Sequence, residues 1–240
     1  MAKSMNYLAS SLVAFALSTA SCSFKPTFTT TMTSFAPAPS STLLTNKITL
    51  EQARKNPSLR QVYLDKVISP SKSFKDCEIQ YDLSGEHTKD ETLAVTRGIT
   101  CEGKLKGFII FVGKTSFDSP ELIQKDEDFK YLIECHEYRH VIQYAQGIGK
   151  FSGEEIYNAA RDSKLELSVM NESLELEAAN YGIKQISKGN FNINPYYLEC
   201  QKRAHSKHLK KVMQFANKSS GFQKEFITEV LKQLKNQSIK

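Results

Sequence analysis

No two cysteines in this 240-residue chain stand in a CxxC pair, which excludes a thiolate zinc knuckle of the usual spacing. No internal repeat is visible either, so repeat arrays are set aside. Long apolar runs are missing: the stretch from Tyr7 to Leu17 is too short to cross a bilayer as a mature anchor. The net charge is +6, but its densest part, Lys202 to Lys211, lacks the aromatic interleaving and motifs of nucleic-acid binders. No nucleic-acid partner is expected, and the run reads as a solvated helix face.

Three zones follow from composition. Residues 1–21, with Lys3, the apolar stretch and then Ser18-Thr19-Ala20-Ser21, read as a signal peptide. Cleavage after Ala20 would free the chain, whereas cleavage before Cys22 would leave that cysteine as a lipid anchor. Either way the protein is expected to be exported: secreted, periplasmic or tethered to the envelope. Residues 22–45 form a Ser/Thr/Pro-rich tract with almost no charge, which is a tether composition. Residues 46–240 have the make-up of one globular domain, long enough for a single sizeable core.

Within that domain Leu105 to Gly113 reads as a buried strand, and Glu102-Gly103-Lys104 as a turn joining it to Gly98 to Cys101 in a hairpin. Glu51 to Val67 and Glu121 to Phe129 read as surface pieces. Helices are expected from Tyr131 to Tyr144, over a long stretch from Glu154 to Lys188, and over Tyr196 to Phe215 and Gln223 to Leu234. The fold class is therefore α+β, helix-rich, with a small sheet before the 131–144 helix. Cys77 and Cys101 both flank expected sheet and are the preferred disulfide pair in an exported chain. Cys135 reads as helix packing.

The most informative string is His136-Glu137-Tyr138-Arg139-His140, an HExxH set on a segment free of Pro and Gly. At about 100° per residue the two imidazoles lie one turn apart on one helix face and can share a metal ion. Glu137 sits one step round, placed to reach water on that metal without becoming a ligand. The plain alternative is two ordinary helix histidines. Flanking Leu132, Ile133, Val141 and Ile142 favour the metal, because a buried helix must satisfy such polar groups. Gly147 and Gly149 supply the helix stop.

A catalytic zinc takes three protein ligands and leaves one position open. The third is sought in Glu172 to Gly182. Glu175 borders the small residues Ala178, Ala179 and Gly182, a stripe that lets two helices approach closely, while Glu177 borders a bulkier face with Asn180 and Tyr181. Glu175 is preferred and Glu177 is kept as the alternative.

With HExxH followed by Glu175-Leu176-Glu177-Ala178, the chain resembles the zincin metallopeptidases, and among them the gluzincins, which complete HExxH with a Glu of an ExxA pattern on a later helix. The likeness spans about residues 105–186. It departs at Ala179, where the family commonly has an Asp supporting a histidine, and at Glu134 and Arg139, where peptidases prefer uncharged residues. The resemblance implies a zincin-like fold with a sheet over the active-site helix, Zn2+ held by His136, His140 and Glu175, and Glu137 as general base in hydrolysis of a peptide or protein substrate. Tyr181, Tyr196, Tyr197, His205 and His208 are the candidates for an oxyanion partner. An exported binding protein on the same scaffold with little turnover, and a hydrolase directed at cell wall or lipid headgroups, remain open as alternatives. Because Ser23 to Thr45 has no apolar periodicity, limited proteolysis should trim the chain to near Asn46 without changing its metal content; protection of the tract would contradict the tether.

Overall fold

In the computed structural model, residues 48–68, 77–88, 92–101, 104–156 and 164–237 are described. The expected leader, Cys22 and the tether lie outside them. The described chain opens with α1 (Leu50–Lys55) and α2 (Arg60–Val67). Thr49 starts α1 with a reciprocal box, its hydroxyl accepting from the Gln52 N–H while the Gln52 side chain takes the Thr49 N–H. These helices are more than surface pieces. Ala53, Tyr63 and Leu64 are fully buried, and the buried Arg60 donates to the Ala53 carbonyl, the Tyr81 hydroxyl and Asp118. The break at Pro57 splits their apolar spacing into two short pieces, which hid the stripe.

Among the described residues the sheet has three strands, β1 (Cys77–Tyr81), β2 (Ala94–Cys101) and β3 (Lys104–Val112), in the order β1-β3-β2. β2 and β3 form the expected antiparallel hairpin, from Ala94 opposite Val112 to Cys101 opposite Lys104; Glu102 and Gly103 of the turn lie outside the described residues. β3 is central and buries Phe108, Ile110 and Val112. The unforeseen strand is β1, which runs parallel to β3 with Cys77 opposite Phe108.

That order overturns the Cys77 to Cys101 bridge. Cys77 is a free thiol, and the two residues stand on opposite edges with β3 between them. Two strand spacings amount to about 9.5 Å, beyond the Cα separation that a disulfide spans.

After a single turn, α3 (Thr115–Asp118), the chain enters one unbroken helical run. It comprises α4 (Asp126–Lys130), a π-helical segment (Tyr131–Glu137) and α5 (Tyr138–Gln146). The sequence spacing predicts an α-helix over 131–144; its first half is instead π-wound, with the Tyr138 N–H reaching the Ile133 carbonyl five residues back. Gly147 ends the run at φ +88°, where a Cβ would lie 2.0 Å from the Phe151 carbonyl oxygen.

Three long helices follow, α6 (Lys164–Ser187), α7 (Pro195–Ala216) and α8 (Gly221–Gln237). Residues 157–163 of the long helix expected from Glu154 lie outside the described residues. Val169, Leu176, Val212, Ile227 and Leu234 make a small core shared by the three. Asn194 anchors the start of α7, accepting from the Tyr196 N–H while its own N–H donates to the buried Asp128 of α4. The whole is α+β and helix-rich with a small sheet. Among the described residues no helix is long and apolar enough to cross a membrane.

The small-residue stripe on α6 does what the sequence predicts. Ala178, Ala179 and Gly182 are buried, and a Cβ on Gly182 would lie 2.3 Å from the Tyr131 hydroxyl oxygen of the π segment. Gly182→Ala should therefore cost about 1–3 kcal/mol by overpacking. A thermal melt should show the midpoint falling by roughly 2–4 °C per kcal/mol, and an unchanged midpoint would contradict so close a crossing.

Candidate metal centre

The run from α4 to α5 is held between the sheet and α6, and the motif residues face both. His136 and Glu137 close the π segment, and His140 lies in the first turn of α5. The two imidazoles cross edge to face, with centroids 5.2 Å apart and planes at 85°. Glu175 of α6 meets both: its Oε2 is 3.4 Å from His136 Nε2 and its Oε1 is 3.5 Å from His140 Nε2. One donor atom from each residue lies within 4.8 Å of the others, and this is the one such cluster among the described residues.

These residues fit a metal ion. Their exposures are 5 % for His136, 1 % for His140 and 3 % for Glu175, yet among the described residues His136 Nδ1 and Nε2, His140 Nε2 and Glu175 Oε1 have no aligned hydrogen-bond partner. Each buried polar atom left unsatisfied costs about 1–3 kcal/mol, so the three that converge, His136 Nε2, His140 Nε2 and Glu175 Oε1, mark a site shaped for something they can bind. Tetrahedral zinc with arms of about 2.1 Å would hold two donors roughly 3.4 Å apart, which is the spacing found between Glu175 and each histidine. The cluster is compatible with a zinc site.

Charge reinforces the geometry. Burial works against the ionised form of Glu175, but His140 and His136 together outweigh it and hold the carboxyl well below the usual range. Burial likewise disfavours charge on His140, yet the carboxylates of Glu175 and Glu137 raise its pKa above the ordinary value. Glu137, 2 % exposed, behaves differently: burial pushes its pKa up, and the two histidines offset this only in part.

Glu137 is held by a residue the motif does not contain. The Thr96 hydroxyl of β2 lies 2.9 Å from Glu137 Oε2 and 3.0 Å from its backbone carbonyl. The hairpin expectation reached back only to Gly98, two residues short of Thr96, and nothing in the strand's own pattern tells which residue meets the helix.

The structure brings Glu175 to the histidines and turns Glu177 away. Two positions along α6 amount to about 200° of rotation. Glu177 is nevertheless fully buried, so its face is as recessed as that of Glu175. It accepts from Arg139 at 2.6 and 2.9 Å and from Gln143 Nε2 at 2.7 Å. The Arg139 guanidinium also lies 4.8 Å from the centroid of Tyr181, which places that ring beside the Arg139–Glu177 pair. His140 Nδ1 faces Gln143 Oε1 at 2.8 Å.

The other candidates are dispersed. Tyr196 is half exposed, and His208 bonds Glu172 at 2.6 Å, one turn beyond His205 on α7. Tyr197 is buried and among the described residues has no hydrogen-bond partner for its hydroxyl; burial, with smaller contributions from Tyr131 and Glu137, keeps that hydroxyl protonated. Lys202, Arg203, Lys207 and Lys210 are exposed, as a solvated face requires, and Cys135 is buried packing.

Glu175→Gln, which keeps the shape and removes the charge, should weaken metal binding by at least about 100-fold, more than the loss of a supporting contact commonly costs. A chelator competition titration reads this, and unchanged affinity would remove Glu175 from the ligand set. No family model, curated protein or solved structure matches this chain, so the donor set itself carries the functional reading.

Proposed function

We propose that the chain is a zinc-dependent hydrolase of the zincin type, cleaving peptide bonds in exported or envelope surroundings. The observation that carries this reading is the buried set of two histidines and one glutamate with a second, non-ligating carboxylate beside it. Three donors leave a position open for water or substrate, whereas a purely structural zinc is closed by four. Bound there, zinc would supply Lewis acidity, acidifying water and polarising a carbonyl.

The chain's own residues supply the rest. Glu137 takes a proton from the attacking water and returns it to the leaving amine, and its raised pKa moves it in the direction a general base needs. Thr96 fixes one carboxylate oxygen and leaves Oε1 for the proton. The strand that carries Thr96, β2, is an edge of the sheet, and among the described residues it pairs on one side only. An extended peptide can add to that edge, its backbone hydrogen bonds setting it beside Glu137.

The depth of the donors favours a second reading, a binding protein on the same scaffold with little turnover, since every site residue is at most 5 % exposed. One experiment separates the two. The full chain should take up one zinc and cleave an unstructured protein such as casein, with activity lost on chelation and restored by zinc. Glu137→Gln should keep the metal and lose about 100-fold or more of the rate. Zinc bound without turnover, in wild type and mutant alike, would leave the binding protein.

A further inference from the structure

Ala179 stands where gluzincin-like sequences place an Asp that supports a histidine, yet His140 has a partner. We infer that Gln143, Glu177 and Arg139 form a relay that holds His140 in the tautomer that presents a bare Nε2 to the donor cluster. The inference rests on the zinc-site reading above.

The amide of Gln143 is the central link. Its Nε2 donates to the Leu174 carbonyl at 3.0 Å and to Glu177 Oε2 at 2.7 Å, so both of its N–H bonds are engaged. A flipped amide would aim its oxygen at two other oxygens, one of them a carboxylate, so the orientation is fixed by chemistry. The Gln143 Oε1 then faces His140 Nδ1 at 2.8 Å, and an amide oxygen only accepts. The proton of a neutral His140 therefore sits on Nδ1. That leaves Nε2 as a bare lone pair, 3.5 Å from Glu175 Oε1 and within the donor cluster. The opposite tautomer would set two lone pairs against each other at Gln143 and put an N–H where a metal belongs.

Glu177 can orient the amide only if it stays charged and still. It is fully buried, and a buried carboxylate needs a counter-charge. Arg139 supplies one, with Nε 2.9 Å from Oε2 and a terminal nitrogen 2.6 Å from Oε1. The guanidinium is itself seated over Tyr181. Arg139, unusual inside an HExxH string, thus becomes the anchor of the relay. All three are positioning residues, since none lies among the donors.

The test uses the full chain and zinc alone, with affinity read by chelator competition well below the melting temperature. Gln143→Met should lower affinity by about 10–100-fold and move the visible bands of the cobalt-substituted protein. Glu177→Gln and Arg139→Met should shift both readouts in the same direction by a smaller factor. The Gln143→Met, Arg139→Met double variant should lose no more than Gln143→Met alone, because a series relay is cut only once. Affinities within about twofold of wild type, alongside a lowered melting temperature, would reduce these contacts to helix packing and overturn the relay. Losses that multiply in the double variant would also overturn it. If Gln143→Met does not fold, the near-isosteric Glu177→Gln carries the same criterion. Failure of the wild type to bind zinc would instead strike the hydrolase reading itself.

Discussion

Everything at the site depends on how closely α6 can cross the π segment and α5. A helix with ordinary side chains along that seam would stand off by the width of a methyl or more, and a carboxylate on it would miss the histidines. Gly182 against Tyr131, with Ala178 and Ala179 beside it, removes that obstacle. The same crossing lets one helix contribute two glutamates with different fates. Glu175 reaches forward to the imidazoles, and Glu177, half a turn round, reaches sideways to Arg139.

The crossing also concentrates negative charge. Glu137, Glu175 and Glu177 are all at most 3 % exposed, a grouping that would expel itself from an apolar interior without compensation. Each has its own answer. Glu177 is neutralised by a fixed cation, Glu175 is shared between two imidazoles, and Glu137 has a neutral hydroxyl as its hydrogen-bond partner and only a partial offset from the histidines. The carboxylate with the least charge compensation has the raised pKa, which separates the group suited to moving protons from those suited to holding position.

Much of this was legible in residue order, for identifiable reasons. The HExxH spacing, the small-residue stripe beside Glu175 and the glycine stop at Gly147 are local signals, and each states its geometry directly. The hairpin of β2 and β3 was legible for the same reason. What escaped were non-local facts. β1 is short and pairs with a strand far along the chain, so its five residues carry no hairpin signal, and the mistaken Cys77 to Cys101 bridge followed from that omission. The burial of α1 and α2 depends on Arg60 finding Asp118 and Tyr81. Glu177 and Arg139 were noticed singly, one as a weaker ligand and the other as a departure; only the fold places them in contact.

The π-wound segment has a consequence for how this chain can change. A π turn holds one residue more than an α turn, so the residues before it and after it are set at angles an unbroken α-helix would not give. Upstream, Tyr131 packs against Phe191 and Tyr197, while downstream His136 and His140 meet Glu175. The segment acts as a phase adjuster between a packing register and a ligand register. Removing one residue within 131–135 would restore regular winding and swing one register by about 100° against the other, whereas a side-chain exchange in either half leaves the phase intact. Length in this short stretch is therefore constrained more tightly than composition, the reverse of what holds in a surface loop.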